Sequence, residues 1–131
     1  MTRTELINSF VHARAYRSYL EIGVGARSNF DAVQCEHKLG VDPATWVEGV
    51  MHITSDAFFE RSMVKFDVIF IDGLHEEHQV DRDIVNSLQH LNPGGIIVLH
   101  DCLPPRRMAS TSSASFLEGR KLERHSLDEC T

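Results

Sequence analysis

The sequence predicts an α/β fold: a Rossmann-like, mostly parallel sheet with flanking helices. Three observations predict it. Short apolar runs with strand character alternate with segments of helical spacing through the first 105 residues. One run, Phe66–Ile71 (FDVIFI), is almost continuously apolar, as a strand buried on both faces should be. Five runs end in glycine or a polar residue, and parallel pairing with right-handed crossovers sets all five ends on one edge of the sheet.

The elements follow in order. Thr2 and Glu5 have the spacing of a capping box, and Leu6, Ile7, Phe10 and Val11 form a helical stripe behind them. Tyr19–Ile22 reads as a strand entering the turn Gly23-Val24-Gly25, with a short helix to about Val33. His37–Val41 is a second strand, closed by Asp42-Pro43, and Val50–Thr54 a third. Ser55-Asp56 then caps a helix carrying Phe58 and Phe59. After the fourth strand, Val80, Ile84, Leu88 and Leu91 recur at helical spacing, and Asn92-Pro93-Gly94-Gly95 stops that helix. Ile96–Leu99 is the fifth strand, ending at His100-Asp101.

Composition bounds the function. The chain has 131 residues, of which 42% are hydrophobic and 24% charged, enough for one domain with its own core. Its formal net charge of -6 argues against a nucleic-acid partner, which would favour a basic stripe. The longest apolar stretches, Val68–Ile71 and Ile96–Leu99, are far short of the roughly 20 residues of a membrane span. Cys35, Cys102 and Cys130 are odd in number and lack metal-site spacing, which fits a reducing cytoplasm. Residues 1–105 form the predicted core domain. Residues 106–131 are Ser-rich and polar, and read as a poorly ordered tail with one short helix around 115–124.

The strand ends carry the candidate chemistry. Gly23 and Gly25 allow backbone to approach a ligand, although the third glycine of a full dinucleotide fingerprint is replaced by Ser28. Asp42 lies where a carboxylate can accept from ribose hydroxyls. Asp72 and Asp101, at adjacent strand ends, would repel each other unless a cation or shared proton compensated them. Oxygen donors suit Mg²⁺, and a nitrogen ligand from His100 shifts the preference toward Mn²⁺ or Fe²⁺. His75 and His78 sit in H-E-E-H, the wrong spacing for a zinc protease, but His75 follows the Asp72 turn and suits a general base.

The segments YLEIGVG, GVDP, TSDAFF, FDVIFIDGLHEEHQVDRDIVNSL and LNPGGIIVLHDCLPP together resemble a class I S-adenosylmethionine-dependent methyltransferase. More narrowly, they resemble the bacterial small-molecule and sugar O-methyltransferases of the macrocin type, over about residues 17–105. The resemblance implies a seven-stranded sheet, with Glu21, Gly23 and Gly25 along the methionine part of the cofactor, Asp42 on the ribose and Asp56 on the adenine amino group. It also implies a divalent cation, Mg²⁺ or Mn²⁺, at Asp72 and His100-Asp101, with Asp72 bordering the cofactor as well, and His75 as the base for a small-molecule hydroxyl.

Two departures from that family shape the remaining expectations. His100 stands where an acid is common. Only 26 residues follow Pro105, without a strong strand pattern, so the sheet is expected to stop at the fifth strand and lack the last two. An apolar fifth-strand edge would then need cover, and a homodimer could supply it. Two other readings stand beside the methyltransferase: a truncated fold acting as a cofactor- or partner-binding module, and an NAD-dependent oxidoreductase built on the glycine turn and Asp42.

Overall fold

The computed structural model describes residues 1–73, 76–101, 113–118 and 121–126. Helix α1 (Arg3–Arg14) opens the chain, followed by β1 (Ser18–Ile22), α2 (Ser28–Ala32), β2 (His37–Val41) and the two-residue β3 (Val50–Met51). Then come α3 (Ser55–Arg61), β4 (Phe66–Gly73), α4 (Glu77–Gln89) and β5 (Leu91–Asp101), and last β6 (Ser113–Glu118) and β7 (Lys121–Ser126).

The capping box is present: the Thr2 hydroxyl accepts from the Glu5 amide while the Glu5 carboxylate accepts from the Thr2 amide. The cap of α3 falls on Thr54, one residue before the expected Ser55, and its hydroxyl accepts from the Ala57 amide. α4 ends at Gln89 with His90 as its cap, ahead of Asn92–Gly95, which lies inside β5 where the pairing with β4 is irregular between Phe66 and Val68.

The sheet order is β3-β2-β1-β4-β5-β6-β7, with the first five strands parallel, as the alternation of elements requires. Side chains alternate across it. Tyr19, Val68, Phe70, Ile96 and Val98 pack against Leu6, Ile7 and Val11 of α1 and Phe30 of α2. Leu20, Ile22, Ile69, Ile71 and Ile97 pack on the other face against Phe58 and Phe59 of α3, with Ile84 of α4. Burial of this double layer is the main driving force for the fold.

Past β5 the structure corrects the sequence reading. β6 runs antiparallel along β5, from Ile96 opposite Glu118 to Asp101 opposite Ser113, and β7 runs antiparallel along β6. The sheet therefore has seven strands, and strand replaces the short helix expected around 115–124. The cause is the edge itself: the unpaired backbone groups of β5 need partners, and pairing satisfies them whatever the polarity of the partner sequence. The edge that a homodimer was expected to cover is occupied by the chain's own β6. Among the described residues, no helix is long and apolar enough to cross a membrane.

Candidate active site

β1 has β2 on one side and β4 on the other, so successive connections leave it in opposite directions. Such a reversal opens a crevice outside the carboxyl ends of the strands. Strand alternation decides which residues share it. Glu21 keeps the facing of Tyr19, Asp72 that of Phe70, and His100 that of Val98, so all three lie on the side covered by α1 and α2. Asp72 is the direct register partner of His100.

Glu21 is 1% exposed. Its Oε1 accepts from the Tyr19 hydroxyl at 2.5 Å and from Asn29 Nδ2 at 2.8 Å, and Asn29 Oδ1 accepts from the Thr4 hydroxyl at 2.6 Å. Burial is the main effect on the Glu21 carboxyl and pushes it up to about 7; the bonds from Tyr19 and Asn29 pull the other way, as does Arg3, while Asp72 adds to the rise. Burial likewise carries the Tyr19 hydroxyl well above its ordinary value.

The glycine turn is closed by Asp42. Asp42 Oδ2 accepts from the amides of Val24 and Gly25, each at 2.9 Å, and Oδ1 accepts from the Ala44 amide at 2.8 Å. Burial opposes the charge on Asp42, but these bonds, with one from Thr45, outweigh it and hold the carboxyl below its usual range. Gly23 and Gly25 take φ of 85° and 58°, the left-handed region that glycine adopts without a steric penalty. A Cβ on Gly25 would meet nothing within 4 Å, so open space lies over the turn.

Asp56, in the first turn of α3, is held by α4: Gln79 Nε2 donates to Oδ1 at 3.2 Å and Arg82 Nε lies 3.4 Å from Oδ2. Gln79 also donates to the buried Asp83, which accepts from Ser55 as well. These bonds tie the first turn of α3 to α4.

At the β4 and β5 ends the sequence reading was incomplete. Arg3, the first residue of α1, places Nη1 3.3 Å from Asp72 Oδ2 and 3.4 Å from His100 Nδ1. Asp72 Oδ1 lies 3.9 Å from the same Nδ1, too far for a hydrogen bond. A divalent cation would have to sit about 2.1 Å from its donors, in the space the guanidinium takes between Asp72 and His100. Among the described residues, no three His, Cys, Asp or Glu side chains converge as a metal site. The described side chains therefore do not fit a metal at this point. Asp101 is placed through its backbone, opposite Gly73, and its side chain lies outside the described residues, as does His75.

Arg3, Thr4, Tyr19 and Asn29 were missed from sequence. The two-residue step from Tyr19 to Glu21 was a usable signal for one of them. Nothing local pointed to the contact between Thr4 and Asn29, which joins two helices 25 residues apart.

No curated protein matches the sequence. Among solved structures, the chain is similar to the N-methyltransferase NodS from Bradyrhizobium japonicum WM9 in complex with S-adenosylhomocysteine. That match has 19% identity and a TM-score of 0.60, over 76% of this chain and 59% of that one. It is similar to CalS10, a SAM-bound amino pentose methyltransferase from Micromonospora echinaspora, at 19% identity and a TM-score of 0.61, over 95% of this chain and 62% of that one. A third match is MycE, a methyltransferase of the mycinamycin biosynthetic pathway in complex with Mg and S-adenosylhomocysteine. Here the identity is 20% and the TM-score 0.56, over 75% of this chain and 31% of that one. The chain thus spans less than two thirds of each of these proteins, and the likenesses show the shared fold. A family model described as a methyltransferase domain matches residues 20–102. With the match covering more than half of its length, this chain belongs to the methyltransferase-domain family.

Proposed function

We propose that the chain binds S-adenosylmethionine in the crevice beside β1 and transfers its methyl group to a hydroxyl of a small molecule, sugars included. The observation that carries this reading is that Glu21, Asp72 and His100 share one side of the sheet at the strand ends, next to the glycine turn that follows β1. S-adenosylmethionine, when bound, supplies an electrophilic methyl on a sulfonium, so the acceptor oxygen gains a carbon as the C–S bond breaks.

The residues divide that work. Gly23 and Gly25 shape the turn by their left-handed φ, Gly25 leaves the space over it open for the methionine part, and Glu21, once ionised, favours the cationic charge beside it. Asp42 retains acceptor capacity on Oδ1 for a ribose hydroxyl, because Oδ2 already takes two amides and Oδ1 only one backbone bond. Asp56 offers an acceptor for the adenine amino group from the first turn of α3. Asp72 borders the same crevice from β4. His75 is the proposed base, on the strength of its place three residues after Asp72 in the family pattern.

The turn also speaks against an NAD-dependent oxidoreductase. The amides of Val24 and Gly25 donate to Asp42, whereas a pyrophosphate requires such amides to face the ligand. The metal assistance implied by the macrocin-type resemblance has no described donor set, and no step here is drawn through it.

Calorimetry on the whole chain tests the reading. S-adenosylhomocysteine should bind with one site per chain and NAD should not. Heat from NAD alone would reverse the assignment, and silence from both would leave a partner-binding module. Given binding, His75→Asn should lower turnover with an acceptor while sparing cofactor affinity.

A further inference from the structure

We propose that Arg3 is the resident cation of the Asp72–His100 pair, a positioning residue that lets this crevice work without a divalent metal. The inference goes beyond cofactor binding and concerns the acceptor side of the crevice, whose use rests on the proposed function.

The guanidinium occupies its place against local electrostatics. Arg3 is the first residue of α1, where the positive end of the helix dipole disfavours a cation, and the nearby helix-borne acid, Glu5, is bonded to the Thr2 amide. Its position therefore reflects the tertiary contact. Side-chain exposure is 19% for Arg3 and 25% for Asp72, so the ion pair is largely removed from water and is little screened by salt. His100 is 2% exposed.

The contact also fixes the imidazole. A guanidinium only donates, so in the contact between Arg3 Nη1 and His100 Nδ1 the imidazole nitrogen is the acceptor. The lone pair on Nδ1 that a metal would need is already engaged. Asp72 and Arg3 cancel in charge, so a dication brought here meets one positive group and gains no net negative charge from the pair. In a metal site the cation aligns the two donors. Here a side chain from the N-terminal helix aligns them.

Mn²⁺ titration of the full chain, followed by its electron paramagnetic resonance signal, tests this. The variants are wild type, Arg3→Lys, Arg3→Met and Arg3→Met/Asp72→Asn. Wild type and Arg3→Lys should take up no Asp72-dependent Mn²⁺ below about 1 mM, a range in which an oxygen-rich dication site would fill. Arg3→Met should bind Mn²⁺ at least about tenfold more tightly, and the added Asp72→Asn should abolish that gain. Stoichiometric uptake by wild type that is lost in Asp72→Asn overturns the proposal, and so does an Arg3→Met variant no tighter than wild type. Circular dichroism confirms folding, and Arg3→Gln replaces Arg3→Met if the latter unfolds. Binding of S-adenosylhomocysteine to the same wild-type sample is read separately, so a failed cofactor assignment and a failed cation assignment give different results.

Discussion

The carboxylate of Asp42 and the amide of Gly25 are 2.9 Å apart across the mouth of the crevice, joining the end of β2 to the turn that follows β1. One acid thereby holds a left-handed glycine turn in shape through two of its amides.

Replacing that acid should damage binding and folding together. In Asp42→Ala the amides of Val24, Gly25 and Ala44 lose their acceptor, and the buried Val24 amide left unpaired costs about 1–3 kcal/mol. Affinity for S-adenosylhomocysteine should fall more than about tenfold, by calorimetry, with a lower melting temperature. Asp42→Asn should fall between the two, since its amide oxygen can still accept.

Glu21 should give binding and stability opposite responses to pH. Its carboxyl is raised from 4.5 to about 7 in the folded chain, so the folded state holds a proton that the unfolded state has released. Its contribution to stability is complete below 4.5 and is lost as pH rises through about 7, a loss of about 3 kcal/mol. A bound sulfonium favours the ionised form, so S-adenosylmethionine affinity should rise across the same interval. Denaturant melts and calorimetry at stepped pH check both slopes, and Glu21→Gln should flatten both. The depressed carboxyl of Asp42 acts in the other sense and at lower pH, stabilising above its unfolded value and losing that effect as pH falls.

Gly40 packs the turn from behind. An added Cβ would lie 2.7 Å from Val24 Cγ2 and 3.0 Å from Val50 Cγ2, both on β-branched side chains with little rotamer freedom. Gly40→Ala should destabilise the chain by about 1–3 kcal/mol in urea melts. It should also weaken S-adenosylhomocysteine binding, because Val24 belongs to the turn that Asp42 closes.

The capping box of α1 stands under Arg3 and Thr4. Thr2→Ala should remove about 1 kcal/mol of stability, measured by thermal melting, and Thr2→Ser should restore most of it.

The alternation of periods was enough to place β1, β2, β4, α1 and α4, because a strand buried on both faces and an amphipathic helix leave different apolar spacings in the chain. It also put Gly23, Asp42, Asp72 and His100 at strand ends, since parallel connections send every carboxyl end to the same edge, whereas Asp56 falls in the first turn of α3 because β3 stops at Met51. What it could not supply was partnership across distance. The hairpin of β6 and β7 escaped because its segments are polar, and only the exposed edge of β5 gives them a reason to pair.

On its own, then, the order of residues determined the α/β architecture, the five parallel strands and the set of residues delivered to their tips. Only the folded chain decided which of those tips are already engaged: Asp42 by the turn, Asp56 by α4, and Asp72 with His100 by Arg3. The physical reason is that backbone preference and apolar spacing are written locally. A charge finds its partner by packing, and here that joins residue 3 to residues 72 and 100.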